Sequence, residues 1–371
     1  MKKLGKIAGI FVVVLLLAAG QVFSLDQDLL NDNFNKIQNA LTDYANELSL
    51  SLPFNSTVGL NWSDAYIGQL LELPPHFGFG VTVGFTPFDM NAMGSFFEAI
   101  GYDNPLSILS DYLNMGGKEL ATMVGSPLPA YTFDARLGGF GIPFDIGLKI
   151  GVLDSNELLK MDLIKNTPEL NGMTDIFNNI HLDYLLIGGD FRYGILNGES
   201  FPIKLSVGVG YNHMSTSFRI KTEIPAFEYN TLAGKISMDT PELFLSMNTN
   251  LIEAKAQVSF PLFIITPYAG IGAGYSWTNV SFGLDGTNLN ASEAVKAFLA
   301  DEYGITDVDK DGFSTTIEKS DFLLRAFGGL SLDLFVFRID LGLNLNLTNL
   351  LKGGDVAKNS LGASVGLRFQ L

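Results

Sequence analysis

The stretch His76-Phe-Gly-Phe-Gly-Val-Thr-Val-Gly-Phe85 decides the fold. Its odd positions are Phe77, Phe79, Val81, Val83 and Phe85; its even positions are His76, Gly78, Gly80, Thr82 and Gly84. In an extended strand the side-chain period is two, so these sets lie on opposite faces. One face is apolar and aromatic, the other small and polar. A strand with hydrocarbon on one side and a polar lumen on the other needs this division.

The same split recurs over 131–137, 144–150, 185–195, 203–211, 252–260, 269–277, 324–332, 337–345 and 361–371. In the 144–150 segment, for example, Phe144, Ile146, Leu148 and Ile150 alternate with Asp145, Gly147 and Lys149. A soluble sandwich also alternates, but it does not repeat aromatic-ended strands behind an export signal. Composition agrees. The chain has 371 residues, 47% hydrophobic and 17% charged, with 40 Gly and 29 Phe, which excludes a disordered protein. Only the N-terminus holds an apolar run approaching helix-spanning length, which excludes a helical polytopic membrane protein.

That N-terminal run reads as a secretory signal. Lys2, Lys3 and Lys6 precede the apolar segment from Ile7 to Ala19, and Val22-Phe23-Ser24 offers a cleavage site after Ser24. Removing the three lysines leaves 20 basic against 39 acidic residues, a net charge of −19. So acidic a body argues against nucleic-acid binding. The absence of cysteine excludes disulfides, thiol catalysis, Cys-ligated metals and lipobox acylation.

Residues 1–24 are thus read as a signal peptide and 25–47 as an amphipathic helix. Leu30, Phe34, Ile37, Leu41, Tyr44 and Leu48 form its apolar stripe. Such a helix either plugs the lumen or caps the periplasmic mouth. Residues 48–371 are read as an all-β, antiparallel, up-and-down transmembrane barrel. Weaker strands near 48–52 and 56–62 bring the expected number to about twelve, within a range of 10–14; fourteen requires a hairpin within 222–241. Short connections (138–143, 196–200, 261–263, 333–335) alternate with long ones (86–130, 152–182, 222–241, 285–320). Bacterial barrels keep short turns periplasmic and long loops outside. The long loops are expected to carry helical insertions such as 292–303.

Several segments resemble known families. Ser364-x-Gly366-x-x-Phe369-x-Leu371 resembles the β-signal read by the barrel-assembly machinery, with Leu371 in place of the terminal aromatic. The resemblance implies that machinery as a partner and the outer membrane of a diderm bacterium as the location. A mature N-terminal helix before a barrel resembles the architecture of the FadL-like long-chain fatty acid transporters, without the Asn-Pro-Ala box of that family. The run Thr266-Pro-Tyr-Ala-Gly-Ile-Gly-Ala-Gly-Tyr275, after Ala256-Gln-Val-Ser-Phe260, is similar to an uncharacterised outer-membrane barrel family, which implies a fold and no activity.

Asp307-Val-Asp309-Lys-Asp311-Gly-Phe313-Ser-Thr315-Thr-Ile-Glu318 fits the EF-hand loop template. Asp307, Asp309, Asp311 and Glu318 would supply carboxylates, Phe313 its carbonyl and Thr315 the ninth position. The resemblance implies a structural calcium ion in loop 285–320. Ser314 and the strand pattern that follows depart from the family. Gly210-Tyr-Asn-His213-Met-Ser215 resembles a stretch of outer-membrane phospholipase A, in which His and Ser share the lipid face. That family's later Arg-Ser-Trp-Asn segment, which supplies an orienting Asn, is missing here. No catalytic residue is therefore expected, unless an Asn or Asp stands beside His213 on a neighbouring strand.

The lumen-facing parity collects Asp134, Arg136, Asp145, Lys149, Asp190, Arg192, Lys204, Glu253, Lys255, Arg325, Asp333, Arg338, Asp340 and Arg368. Either they form a salt-bridged filling or they line a polar channel. The leading expectation is a channel or transporter for small molecules, hydrophobic ones included, in contact with outer-membrane lipid and a solute or lipid cargo. A structural or surface-interaction barrel acting through its loops is the alternative, and a lipolytic enzyme the third. A filled lumen with no continuous path favours the second class over the first.

Overall fold

The computed structural model describes residues 45–73, 75–88, 126–154, 180–197, 202–221, 227–231, 234–238, 242–285, 290–291, 293, 297, 312–353 and 360–371. The signal segment and most of the 25–47 helix fall outside them. Helix α1 spans 45–55. The strands follow: β1 (Phe77–Phe88), β2 (Ser126–Gly138), β3 (Phe144–Asp154), β4 (Ile180–Leu196), β5 (Lys204–Lys221), β6 (Phe227–Thr231), β7 (Gly234–Met238), β8 (Glu242–Ser259), β9 (Ile265–Asp285), β10 (Asn290–Ala291), β11 (Gly312–Leu334), β12 (Phe337–Asn346) and β13 (Leu361–Gln370). Helix α2 (Leu347–Leu351) lies between β12 and β13.

Ten strands close into an antiparallel barrel in the order β1-β13-β12-β11-β9-β8-β5-β4-β3-β2. Closure joins the first strand to the last, with Gly78 opposite Gln370 and Phe85 opposite Ala363. This pairs the two terminal strands with each other, where open strand edges in lipid would cost several kcal/mol for each unpaired backbone group. The expected count of about twelve is corrected to ten. Residues 48–52 are helix and 56–62 are turn and coil, so neither is a strand and the barrel wall begins at Phe77. The alternation there is present, but Pro53 lacks a ladder N–H and Gly59 turns the chain at φ 110°. The 222–241 region does hold a hairpin, β6–β7, but it pairs with β10 in a separate three-stranded sheet and adds nothing to the ring. Of the 292–303 insertion, Glu293 and Ala297 are helical.

The strand phase follows the period-two reading. Phe79, Val83, Leu148 and Ile150 are exposed on the outer face, whereas Thr132, Asp145, Arg192 and Ser206 are buried inside. At the turn end, Phe369 stacks on Phe79 (5.3 Å between centroids) and meets Phe337 edge-on (6.0 Å). Towards the loop end, Tyr275 packs edge-on against Trp277 (5.2 Å), with Tyr211 exposed two strands away. Two outward aromatic rows around an apolar band are the girdles of a membrane barrel.

Candidate functional site: a plugged lumen in two tiers

The chain from residue 45 to about 70 runs through the barrel from its loop end to its turn end. In the upper tier, Ala45, Leu48 and Leu52 of α1 bury against Leu128, Ala130, Tyr184, Leu186, Met214, Met247 and Val280 of the wall. Phe54 packs one step lower, against Leu251 and Leu323. This tier is apolar on both sides, which suits a helix stripe at steps of three and four.

The lower tier is charged. Lys149 donates to the carbonyls of Ser56 and Val58, 2.6 Å each. Arg136 reaches the Leu60 carbonyl (3.2 Å), and Lys255 the same oxygen (3.3 Å). Gln257 donates to the Trp62 carbonyl (2.6 Å) and Arg192 to that of Asp64 (2.7 Å). An extended coil has no ladder of its own, so its buried carbonyls need such donors. Trp62 is fully buried; its indole N–H donates to Asp134 (2.7 Å) and the Arg368 guanidinium sits 4.5 Å above its ring. Gly78 makes this possible, because a Cβ there would come within 2.9 Å of the Trp62 ring. Asp64 is gripped by Arg338 (2.5 Å), Arg368 (3.2 Å) and Gln370 (3.1 Å).

Most of the remaining lumen charges pair with one another. Asp145 accepts from Arg136 (2.5 Å) and from Arg192 (2.8 and 2.9 Å). Asp190 accepts from Arg136 (2.8 Å) and pairs with Lys255 (2.6 Å). Glu253 takes both forks of Arg325 (2.7 and 3.0 Å), which also reaches Asn61 and Asn344. Asp340 pairs with Arg368 (2.9 Å). Asp333, near the turn end, accepts from Thr266 and Ser331 and lies 3.6 Å from Arg338. Lys204 stands opposite Ser259 at the same end, half-buried. Most lumen charges of both signs are thus paired, while Lys149 and Asp134 are held by carbonyl, indole and hydroxyl partners. One polar cavity, about 20 Å³, lies between Asn61, Asp190, Asn212, Glu253 and Arg325. That is room for one water molecule and for no solute.

The sequence reading missed the plug's own contribution: Asn55, Asn61, Trp62, Ser63 and Asp64. The available signal was local, a density of turn formers and hydrogen-bonding side chains in Asn55-Ser-Thr-Val-Gly-Leu-Asn-Trp-Ser-Asp64 that overlies the alternation of Val58, Leu60 and Trp62.

The residues that fit the EF-hand template fall partly within the described structure. Phe313, Thr315 and Glu318 lie within β11, in register with Leu284, Phe282 and Asn279 of β9. Six strand residues carry Glu318 about 20 Å beyond Gly312, and its side chain is exposed on the outer face. Asp307, Asp309 and Asp311 lie outside the described residues. Among the described residues, no group of three or more acidic or histidine side chains is placed to hold a metal ion.

One stretch of wall is incomplete. The β2–β3 ladder covers only Phe133–Gly138 against Ile150–Asp145, although β2 begins at Ser126 and β3 runs to Asp154. Tyr184 of β4 reaches across, its hydroxyl 3.3 Å from both the N–H and the carbonyl of Tyr131, and the two rings stack at 5.2 Å. The Tyr131 hydroxyl donates to the Val152 carbonyl. Tyr131, outward by parity, packs on the inner apolar cluster through this seam.

Comparison with known proteins adds little chemistry. Residues 190–354 match a family of unknown function (DUF6588). Curated proteins gave no match. Solved structures similar to this chain include the outer membrane protease OmpT from Escherichia coli, at 10% identity and a TM-score of 0.36, covering 80% of this chain and 97% of that one. The transport unit of the autotransporter AIDA-I from the same organism aligns at 10% identity and a TM-score of 0.30, over 90% and 97%. The toluene transporter TbuX from Ralstonia pickettii aligns at 10% and 0.25, over 80% and 89%. Likenesses this low carry no functional argument, and the assignment as a membrane-spanning barrel rests on the strand pairing and the apolar outer face described above.

Proposed function

We propose that this protein is an outer-membrane transporter that admits small apolar molecules into its upper lumen and passes them sideways through the β2–β3 seam into the bilayer. The supporting observation is the two-tiered lumen. The lower tier is closed by a charge-locked plug, which opposes an axial water-filled pore. The upper tier is lined by Leu, Met, Ala and Val, where a barrel interior is ordinarily polar. The unpaired part of the wall stands at that same height, held by Tyr131 and Tyr184 in place of ladder bonds. On this reading α1 occupies the apolar site at rest and yields to cargo. It deepens the FadL-like resemblance in architecture and needs no catalytic residue.

The test is transfer of a fluorescent long-chain fatty acid into proteoliposomes alongside single-channel conductance. Low conductance with protein-dependent transfer is expected, and Tyr184→Ala should speed transfer several-fold without raising conductance. Transfer no faster than in protein-free vesicles, for both wild type and Tyr184→Ala, would overturn the proposal. A second reading, a surface-interaction barrel, is favoured by the filled lumen and would then stand.

A further inference from the structure

The transport reading leaves the turn end of the barrel unused. Two of its hairpins share one design. Leu262-Phe-Ile-Ile265 connects β8 to β9, and Leu334-Phe-Val-Phe337 connects β11 to β12. In the first, Leu262 and Ile265 exchange backbone hydrogen bonds of 2.7 and 2.8 Å; in the second, Leu334 stands opposite Phe337. Each is a two-residue loop whose first residue has a left-handed backbone, φ 53° at Phe263 and 58° at Phe335. That position in a two-residue hairpin favours glycine, and a bulky side chain there is strained. The β2–β3 turn follows the rule, with Gly141 at φ 82°. Phe263 and Phe335 are the two non-glycine residues at positive φ among the described residues, and both side chains are fully exposed. Strained backbone of this kind clusters at functional positions.

The two tips form one patch. β9 and β11 are neighbours in the ring, and the Asp333 N–H donates to the Ile264 carbonyl between the turns at 2.9 Å. The Gln370 N–H donates to the Val336 carbonyl at 2.8 Å. In each turn the carbonyl of the second loop residue is therefore covered by a neighbouring strand, while the apolar side chains stay bare. Leu262, Ile264, Leu334 and Phe337 are exposed around the two tips, and neither loop holds an ionisable side chain. Asp333 and Arg338 flank the second loop but are taken up by Thr266, Ser331 and Asp64.

These features decide what covers the patch. A docking face for a soluble protein carries a polar rim. This one runs without a break into the lipid-facing band, through Leu332 beside Ile265 and Phe369 beside Phe337. Ile265 and Tyr275, the latter in the loop-end girdle, lie ten residues apart on β9. That is about 33 Å of strand, or about 25 Å of depth at a tilt of about 40°. The apolar band of a barrel is about 25 Å tall, so Phe263 falls at its lower edge, level with the glycerol and headgroups. We propose that the two phenylalanine turns are a membrane anchor, inserting into the phospholipid leaflet at the turn end and holding the β8–β12 side of the barrel in it. The covered carbonyls suit such immersion, because hydrocarbon offers backbone groups no partner. Phe140 and Ile142, exposed on the β2–β3 turn, place apolar tips on the far side of the ring as well.

The chain has no cysteine, so Phe263→Cys and Phe335→Cys each give a single attachment point for a nitroxide. The full-length protein is refolded into vesicles of phosphatidylethanolamine and phosphatidylglycerol. Collision with oxygen, which concentrates in lipid, should exceed collision with a water-soluble nickel chelate several-fold at both positions. The order should reverse at Lys352→Cys, an exposed site at the loop end. Nickel-dominated collision at 263 and 335 overturns the proposal and leaves the tips to a soluble partner. Spin–spin broadening at a high lipid-to-protein ratio overturns it in favour of a second copy. Where a labelled variant loses its heat-modifiable migration, Phe335→Trp in a Trp277→Phe background replaces it. Quenching by brominated lipid should then exceed quenching by acrylamide, and the opposite order overturns the anchor. Trp62, buried in the lumen, sets a constant background, measured in Trp277→Phe alone. No outcome touches the transport reading, which rests on the upper lumen and the seam.

Discussion

Asp64→Ala is the most direct test of the plug. Its carboxylate is almost wholly buried and takes hydrogen bonds from Arg338 at 2.5 Å, Arg368 at 3.2 Å and Gln370 at 3.1 Å. Deleting it leaves two guanidiniums in the lumen with one fewer anion. Removing one member of a buried ionic set costs about 3–5 kcal/mol. The barrel ladder does not involve this side chain, and α1 is held separately by the apolar tier. The loss should therefore fall on seating of the lower plug. At 1.4 kcal/mol per decade, the unseated population should rise by roughly 10²- to 10³-fold or more. Planar-bilayer recordings should show conducting bursts where the wild type is silent, and limited proteolysis should cut near residues 60–66. The substitution Asp64→Asn keeps the volume and an accepting oxygen and should give a smaller rise. Conductance and proteolysis indistinguishable from wild type in Asp64→Ala would falsify the view that this ionic clasp seats the plug.

Three further outcomes follow from the same geometry. Gly78→Ala forces a methyl towards the Trp62 ring and the Phe369 carbonyl, at 2.9 and 2.8 Å; overpacking of this kind costs about 1–3 kcal/mol, read as a lower urea midpoint for refolded protein. Val83→Arg or Val207→Arg places a cation on the outer apolar face and should destabilise by about 2–4 kcal/mol near the midplane, whereas Val83→Leu should be nearly neutral; equal effects mean that this face does not meet hydrocarbon. Deleting 361–371 removes β13, which pairs with both β1 and β12; the truncated chain should fail to insert, and normal heat-modifiable migration counts against closure at this strand.

The strand pattern was legible in the sequence because its cause is local. Lipid on one side and lumen on the other impose a period of two on each strand separately, so Phe79, Val81 and Val83 declare their face without knowledge of any partner. Ten alternating segments yielded ten barrel strands, but alternation alone was not decisive: Leu48, Leu50 and Leu52 alternate with serines, and Val58, Leu60 and Trp62 with Gly59 and Asn61, yet 48–52 are helix and 56–62 are turn and coil within the barrel. The residues of the charged lumen were legible for the same reason, as parity alone places Asp145 and Arg192 inside. Their partners were not. Arg325 meets Asn61 across 264 residues, Arg338 meets Asp64 across 274, and Arg368 meets Ser63 across 305. No local period encodes such separations, and only closure of the barrel around its own N-terminal segment brings them together. The Asn250 oxygen beside His213 is decided likewise by the register of β8 on β5, since a one-residue slip would turn that amide into the lumen.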